Sequence, residues 1–367
     1  ASGCVESVEF LATTKRTKGF IIISAGFSEM GEEGAALENK LKLLAEQHQL
    51  SIIGPNCIGV TNTNYKAIFV SPPPRIVSTG VDFVSASGAL AVFLFETAAM
   101  HGLTFSNVFT VGNSATIGVE EVLEHWDLEF EPHHSSYVKL VYVEQIRKPE
   151  QFFKHIYSLR KKGCSVIVAK PGESEAGARA ALSHTGALAG DSDAINMLIE
   201  KAGAIRCYGR DEIIHTACIL QQKKLQGKRL AIITHAGGPA VMMVDCLQQY
   251  GFDIPEIDDE TSSLLLDKLH TGSSASNPID MLATANRDQL TLTIEKCSEL
   301  NYIDGVVVIY GKTGMEDLDQ TYNQLANTIK KIDKPVYTIM PSVNAGMQEI
   351  KNYLTHQLPT YFDEVTF

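Results

Sequence analysis

Residues 81–100 read VDFVSASGALAVFLFETAAM, and this stretch decides the fold class. Its start, Val81–Val84, is short and mostly apolar, and a run of small residues, Ser85–Ala89, follows it. Ala89–Met100 then has the composition of a helix. A buried strand that ends in small residues and runs into a helix is typical of α/β proteins.

The same alternation recurs along the chain, because other short runs rich in β-branched residues are followed by a turn and usually a helical pattern. Near-continuous apolar strands separated by helices predict parallel sheets covered on both faces, and therefore an α/β fold. A helix is predicted at Glu32–His48, where leucines recur at helical spacing. The other predicted strands are Gly19–Ser24, Ser51–Ile53, Val108–Val111, Tyr137–Val143, Ser165–Ala169, Arg229–Thr234, Gly305–Tyr310 and Pro335–Met340.

Two breaks in composition divide the chain into predicted domains 1–75, 76–226 and 227–367. Ser71–Pro74 reads SPPP, a stiff segment that a central strand cannot contain, and Gln221–Lys228 reads QQKKLQGK, a polar segment. The first piece offers only two predicted strands and one helix, too little for an independent Rossmann domain. It is therefore interpreted as the second half of a domain whose first half is absent from this chain.

Composition argues against several classes of function. The 31 basic and 43 acidic residues give a net charge of -12, which disfavours a nucleic-acid surface. The seven cysteines form no C-x-x-C pair, so neither a zinc site nor a disulfide framework is expected, and a reducing cytoplasm is the predicted location. No apolar run approaches the roughly 20 residues of a membrane-spanning helix, and the first residues lack a signal-peptide pattern. We therefore expect no metal, no nucleic acid and no membrane partner.

Turns of small residues follow three predicted strands. Ser85–Ala89 opens a helix, where backbone N–H groups and the helix dipole favour an anion, although an ordinary serine N-cap is the commoner explanation. Gly311–Gly314 and His235–Pro239 are similar turns after later strands. Each is also compatible with a simple strand-to-helix connection. Since parallel sheets bind ligands at the carboxyl ends of their strands, all three are candidate anion sites.

One histidine and one glutamate are candidate catalytic residues. His184 lies in Ser183–Gly190, SHTGALAG, where small neighbours leave its imidazole accessible, and no second histidine at helical spacing makes a zinc pair. A lone histidine is nevertheless more often structural. Glu144 follows the strand Tyr137–Val143, where its carboxylate can accept the proton of one imidazole nitrogen and leave the other as a nucleophile. From position alone, a carboxylate at a helix start is the slightly favoured alternative.

Seven stretches in this order resemble the NDP-forming acyl-CoA synthetases, that is the ADP-forming acetate–CoA ligases, and more distantly succinyl-CoA synthetase. The resemblance covers nearly the whole chain. The histidine motif and the Gly-Pro-Asn-Cys motif are specific, whereas each glycine turn alone is weak. The stretches are Ile22–Phe27, Gly54–Gly59, Val84–Leu90, Tyr142–Glu144, Ser183–Gly190, Ala236–Pro239 and Asn277–Asp280.

The resemblance implies the tail of a CoA-binding Rossmann domain followed by two flavodoxin-like, succinyl-CoA-synthetase-type domains. It implies that His184 is phosphorylated and that Glu144 holds it. The residues that it implies for phosphate binding are Ser87, Gly88, Ala89, Gly311, Thr313 and Gly314. Those that it implies for the CoA site and the loop beside the thioester are Ile23, Ser24, Ala25, Asn56, Cys57 and Gly59.

Two departures from the family pattern stand out. His235, Gly237 and Gly238 form a candidate substrate or phosphate loop. The family usually has Asn at the position of His235, so this departure affects which groups of the phosphate or acyl substrate the loop can contact. The glycine-rich first half of the CoA domain and the ATP-grasp module are also missing from this sequence, so they are expected on another chain or in a segment outside it.

The activity implied is a relay between acyl-CoA, phosphate and ADP on one side and a carboxylic acid, CoA and ATP on the other. Acetate or another small carboxylate is the family's usual substrate, an ATP-grasp partner would supply ATP or ADP with Mg²⁺, and an oligomer is expected. A regulatory module of a protein acetyltransferase is the alternative. A dinucleotide-dependent oxidoreductase is disfavoured, since no G-x-G-x-x-G follows a predicted strand.

Overall fold

The computed structural model describes residues 1–177, 179–180, 192–312 and 317–367. Within these ranges the chain forms two compact units, one of residues 1–99 with 103–217 and one of residues 100–102 with 218–367. Each contains parallel strands connected by helices, so the predicted α/β fold is confirmed. The domain limits near 75 and 226 stay predictions. None of the described helices has the length and apolar character needed to cross a membrane.

The strands are β1 Gly19–Ile21, β2 Ser51–Ile53, β3 Gly59–Asn62, β4 Lys66–Ile68, β5 Ile76–Ser85, β6 Phe105–Thr110, β7 Val138–Tyr142, β8 Ser165–Ala169, β9 Ile205–Cys207, β10 Leu230–Thr234, β11 Ile279–Asp280, β12 Gly305–Ile309, β13 Val336–Ile339 and β14 Thr360–Tyr361. The described α-helices are α1 Ser2–Thr14, α2 Glu32–His48, α3 Gly88–His101, α4 Val119–Leu128, α5 Pro149–Lys161, α6 Ser192–Lys201, α7 Arg210–Gln221, α8 Gly237–Gln249, α9 Asp259–Lys268, α10 Arg287–Glu299, α11 Leu318–Lys331 and α12 Val343–Leu354.

The start of the chain forms a small parallel pair, β1 with β2, whose register runs from Gly19 opposite Ser51. Helices α1 and α2 contribute to its core, in which Leu41 is fully buried. The predicted helix Glu32–His48 is confirmed, and α1 is an element that the sequence pattern did not reveal.

A seven-stranded sheet with the order β4-β3-β6-β5-β7-β8-β9 forms the centre of the first unit. Its strands β5 to β9 pair in parallel, whereas β3 is antiparallel to both β4 and β6. The hairpin of β3 and β4 was not predicted from the sequence. Its turn is closed by Asn62, whose Oδ1 accepts hydrogen bonds from the amides of Asn64 and Tyr65 at 2.9 and 2.8 Å.

The two faces of this sheet are covered by different helices. Phe83 of β5 packs edge to face against Phe95 of α3, with ring centroids 5.9 Å apart. The next residue, Val84, belongs to a core on the opposite face that includes Trp126 of α4 and Phe152 of α5. The chain runs from β5 to β6 and then returns past β5 to β7, so its winding direction reverses there. Such a reversal opens a crevice at the carboxyl ends of the flanking strands.

The second unit contains a five-stranded parallel sheet with the order β11-β10-β12-β13-β14. In chain order this is 2-1-3-4-5, the order of flavodoxin-like folds. All five residues of β10 and of β12 are buried, as expected for central strands covered on both faces.

Candidate functional site

A cavity of about 280 Å³ lies at the carboxyl ends of the strands in the first unit, where the winding direction reverses. It brings together residues that are distant in sequence, including six of the predicted site residues. Those six are Asn56, Cys57, Ser87, Gly88, Ala89 and Glu144. The other lining residues are Ser28, Glu29, Ile58, Ala86, Gly112, Asn113, Ser114, Val119, Glu120, Gln145 and Arg147.

The N-terminus of α3 forms one wall of the cavity. Ser87 precedes the helix, and its Oγ accepts a hydrogen bond from the amide of Leu90 at 3.3 Å. The amides of Gly88 and Ala89 are in the first helical turn, where N–H groups have no partner within the helix. Gly88 lies close to the neighbouring loop, since a Cβ there would be 2.9 Å from Cγ2 of Ile58. This wall therefore offers N–H donors and positive dipole potential with little side-chain bulk.

The loop between β2 and β3 forms a second wall. The amide of Asn56 donates to the carbonyl of Ser24 at 3.0 Å, and Sγ of Cys57 donates to the carbonyl of Ile22 at 3.3 Å. These bonds fasten the loop to the end of β1. Cys57 is buried, and burial raises the pKa of its thiol, so it is held as the neutral thiol.

The backbone of the turn after β6 lies close against the backbone of the Asn56 loop. Gly112 has a φ of +51°, and a Cβ at this position would lie 2.2 Å from the carbonyl oxygen of Pro55 and 2.4 Å from that of Asn56. A side chain cannot occupy that space without moving the loop. Glycine is therefore required at residue 112 for this wall to close.

Asn113 connects the cavity to α2 and to the turn before it. Its Nδ2 donates to Glu29 Oε2 at 2.5 Å and lies 3.0 Å from Glu38 Oε2, while its Oδ1 accepts from Asn56 at 3.3 Å. Burial alone would raise the pKa values of Glu29 and Glu38, but the hydrogen bonds that they accept outweigh burial and place both values below the ordinary one. Both carboxylates are thus ionised near neutral pH.

Glu144 follows β7 and is partly buried at the cavity. Tyr142 OH lies 3.5 Å from its Oε1. Burial, and then the negative charge of Glu144, raises the pKa of Tyr142, so the phenol stays protonated and can donate to the carboxylate. The carboxylate of Glu144 therefore lies at the cavity lining, beside a protonated phenol. His184, its predicted partner, lies outside the described residues.

Glu120 and Arg147 line the cavity, and the sequence did not indicate either of them. Glu120 is buried at the start of α4, and its Oε1 accepts from the amides of Arg147 and Lys148 at 2.6 and 3.1 Å. Nη1 of Arg147 donates to the carbonyl of Ser114 at 2.8 Å. The acidic pair at the start of α4 was the available signal in the sequence, but a helix-start carboxylate is too common to single out.

The remaining predicted residues of the first unit lie beside the cavity or in its supporting structure. Gly59 is buried at the start of β3 and has a φ of +106°. Ser24 contributes its carbonyl to the bond with Asn56, and Ile23 is 43% exposed. The predicted CoA contacts Ile23, Ser24 and Ala25 thus lie at the end of β1, next to the second wall, rather than in the cavity lining.

In the second unit, the predicted loops follow the central strands β10 and β12. His235 is buried, its Nδ1 is 3.3 Å from the carbonyl oxygen of Ile309, and its ring centroid is 4.6 Å from that of Tyr310. Gly237 and Gly238 begin α8. Gly311 lies two residues after the end of β12, whereas Thr313 and Gly314 lie outside the described residues.

Within the described ranges, no three His, Cys, Asp or Glu side chains lie close enough together to hold a metal ion. The described groups that line the cavity are carboxylates, amides, hydroxyls, a thiol and the guanidinium of Arg147. The N–H donors, the hydroxyls and the guanidinium are suited to a substrate with anionic oxygen atoms.

Residues 78–220 match the model of the succinyl-CoA ligase like flavodoxin domain family. The chain is 33% identical over 305 residues to acetate–CoA ligase (ADP-forming) I of Archaeoglobus fulgidus, across 83% of this chain and 43% of that protein. It is 32% identical to the alpha subunit of acetate–CoA ligase (ADP-forming) II of Pyrococcus furiosus, across 80% of this chain and 63% of that subunit. The family resemblance predicted from the motifs is confirmed.

The fold also matches a solved structure over nearly its full length. The apo form of the dinucleotide forming acetyl-coenzyme A synthetase 1 of Ca. Korarchaeum cryptofilum superposes with a TM-score of 0.83 at 22% identity, across 99% of this chain and 78% of that chain. The chain spans about half the length of the curated relatives that it matches, with coverage of 43%, 50% and 63% for three of them.

Proposed function

We propose that this chain carries the CoA-ligase chemistry of an ADP-forming acyl-CoA synthetase acting on acetate or another small carboxylate. One observation supports this most directly: the cavity joins Glu144, the N-terminus of α3 and the Asn56–Cys57 loop. These three parts come from separate motifs of the predicted family. The relatives named above are ADP-forming acetate–CoA ligases, and one of them is an alpha subunit.

The proposed reaction has three reversible steps. Phosphate attacks the thioester carbonyl of acyl-CoA, the carbon–sulfur bond breaks, and acyl phosphate and CoA thiol form. A nitrogen of His184 then attacks the phosphorus, the bond between phosphorus and the acyl oxygen breaks, and the carboxylic acid leaves. The phosphoryl group finally passes to ADP and gives ATP. Neutral imidazole is nucleophilic near pH 7, which suits it to the second and third steps.

The cavity residues have distinct tasks in this scheme. The amides of Gly88 and Ala89 face the phosphoryl oxygens and stabilise their charge without side chains in the way. Glu144 accepts the proton of one imidazole nitrogen and leaves the other nitrogen as the nucleophile. Cys57, as a buried neutral thiol, contributes shape to the wall beside the thioester.

CoA is a substrate whose contacts fit the end of β1. Ile23 leaves an apolar side chain 43% exposed there, and the neighbouring Ser24 carbonyl is already bonded to Asn56. Exposed apolar surface next to polar backbone is suited to a ligand with both kinds of group. We assign ATP or ADP, with Mg²⁺ at its phosphates, to an ATP-grasp domain or subunit that completes the enzyme. An oligomeric assembly and a cytoplasmic location belong to the same proposal.

The test is phosphorylation of His184. The chain is incubated with γ-labelled ATP, Mg²⁺ and a complementing ATP-grasp subunit, and acid-labile, base-stable label on the chain is measured. The unsubstituted chain is expected to be labelled, and His184→Asn to carry no label. His134→Asn, in an exposed loop, is the matched control and should be labelled as the unsubstituted chain is.

Persistent label on His184→Asn would show that another residue carries the phosphoryl group. A regulatory module of a protein acetyltransferase would bind acyl-CoA but would acquire no label and would not support turnover. Removal of the ATP-grasp subunit should abolish ATP-dependent formation of acyl-CoA. Turnover by the isolated chain at about 1 s⁻¹ or more would contradict the assignment of the nucleotide step to a separate module.

A further inference from the structure

Among the described residues that line the cavity, Arg147 is the single cationic side chain. The carboxylates of Glu29, Glu120 and Glu144 line the same space. Phosphate, acyl phosphate and carboxylate substrates are all anions, so three carboxylates alone would repel them. A substrate with negative charge therefore needs a compensating group in this cavity, beyond the dipole of α3.

Arg147 is held in place at both its backbone and its side chain. Its amide donates to Oε1 of the buried Glu120 at 2.6 Å, and its Nη1 donates to the carbonyl oxygen of Ser114 at 2.8 Å. A guanidinium has five N–H donors, so a single bond to a carbonyl leaves further donors for a ligand. Ordering by these two contacts lowers the entropy that the side chain loses when it binds.

The bond to Ser114 crosses the central strand of the crevice. Ser114 follows β6 and Arg147 follows β7, and β5 lies between those two strands. The strand β5 leads into α3, whose first residues line the same cavity. The guanidinium thus connects the two loops on either side of β5, the strand that leads into Gly88 and Ala89 of α3.

In the part of the chain that the structure describes, Glu29 and Glu120 accept other hydrogen bonds and form no ion pair with the guanidinium of Arg147. Glu120 accepts from backbone amides, and Glu29 accepts from the amides of Gly26 and Phe27 and from Asn113. The neighbouring cation Lys148 differs from Arg147, because its Nζ pairs with Glu121 at 2.5 Å and it does not line the cavity.

We propose that Arg147 binds an oxygen of the phosphoryl group opposite the amides of α3, and so determines the affinity for phosphate and acyl phosphate. This inference rests on the proposed function, because it assigns a substrate contact in the same site. A tetrahedral phosphoryl group has enough acceptor oxygens to meet the guanidinium and the helix amides together. A planar carboxylate has fewer, and therefore fits this pair of donors less well.

The experiment measures binding of inorganic phosphate and, separately, of acetate to the full 367-residue chain by isothermal titration at constant ionic strength. Arg147→Gln removes the charge, Arg147→Lys keeps it without the planar fork, and Lys148→Gln is the matched control. Arg147→Gln should weaken phosphate binding about tenfold or more, as loss of a charge-assisted hydrogen bond does. Arg147→Lys should restore part of that affinity, and Lys148→Gln should change it less than about twofold.

Three outcomes would overturn the inference. The first is that Lys148→Gln and Arg147→Gln weaken phosphate binding equally, which would show that Arg147 acts only through long-range charge and not through a contact. The second is a loss of acetate binding with phosphate binding unchanged, which would make this a carboxylate contact. The third is no phosphate binding by the unsubstituted chain in the millimolar range.

The phosphorylation test on His184 keeps the two proposals separate. If His184 is never labelled but Arg147→Gln still weakens phosphate binding, the proposed reaction fails and the phosphate contact stands. If His184 is labelled and phosphate binding is the same in Arg147→Gln, the reaction stands and the contact is wrong. In the complete enzyme, the inference also requires the KM for phosphate to rise in Arg147→Gln while the KM for ADP does not.

Discussion

Replacement of Gly112 by alanine should disrupt the cavity wall and lower stability by about 2–5 kcal/mol. The left-handed backbone, with φ of +51°, costs alanine about 1–2 kcal/mol. The added Cβ would also lie 2.2 and 2.4 Å from the carbonyl oxygens of Pro55 and Asn56, and relief of such overpacking typically costs about 1–3 kcal/mol. These atoms belong to backbone, so rotation of a side chain cannot relieve the contact.

The matched control is Gly163→Ala. Gly163 has a φ of +90°, but the nearest atom to its added Cβ, Cε1 of Tyr137, is at an ordinary contact distance of 3.9 Å. Its cost should therefore come from the backbone alone, about 1–2 kcal/mol. The additional loss of stability in Gly112→Ala, compared with Gly163→Ala, measures the cost of the contact between the added Cβ and the Asn56 loop.

The assay is equilibrium unfolding in urea followed by fluorescence of Trp126. This is the single tryptophan of the chain and is buried in the core beside β5, so its signal reports on the first unit. Phosphate binding should weaken in Gly112→Ala and remain in Gly163→Ala. Equal urea midpoints for the two variants would refute the reasoning, because they would show that the Asn56 loop accommodates the extra carbon freely.

Two further predictions concern charged groups. Glu144→Gln should keep the melting temperature and lower turnover of the complemented enzyme about 100-fold. The control Glu150→Gln, at the exposed start of α5, should leave turnover unchanged. Normal turnover in Glu144→Gln would show that Glu144 has only a structural role. In the second unit, hydrogen bonds from Arg229 lower the pKa of Asp304 to about 2. Because folding lowers this pKa, the ionised carboxylate stabilises the folded state above about pH 4, and this stabilisation is lost as pH falls towards 2. In Asp304→Asn, the urea midpoint of unfolding, followed by circular dichroism, should therefore fall less steeply between about pH 4 and pH 2. An unchanged slope would show that the pair is not formed in solution.

Two strands, Ser51–Ile53 and Ser165–Ala169, have the limits that the sequence predicts. The second lies inside the parallel sheet, where a strand is apolar at nearly every position. The hairpin of β3 and β4 was missed, because the sequences GVTN and KAI are short and mixed in polarity. The predicted strand Gly19–Ser24 was too long, and β1 ends at Ile21.

The candidate site was predictable where a motif lies at a strand end. Glu144 and Gly88 converge because the carboxyl ends of the parallel strands β7 and β5 share one edge of the seven-stranded sheet. Asn56 follows β2 of the two-stranded sheet, and backbone hydrogen bonds from Asn113 and Ala115 to Pro55 and Gly54 hold its loop at the same edge. Asn113 and Arg147 were not predictable in this way. Their positions depend on contacts between loops that are far apart in the chain, and neither residue stands in a pattern of its own.

The outer end of the seven-stranded sheet has a consequence for how the protein associates with other chains. The strand at that edge, β4, has only three residues, Lys66–Ile68, and Ser71–Pro74 follows it closely. A short edge with an exposed lysine offers few backbone groups for a further strand, and the prolines that follow have no N–H to donate. Continuous growth of the sheet from one copy to the next, the geometry of fibrous aggregates, is therefore disfavoured at β4. Subunits that assemble with this chain at β4 would have to meet it through side chains.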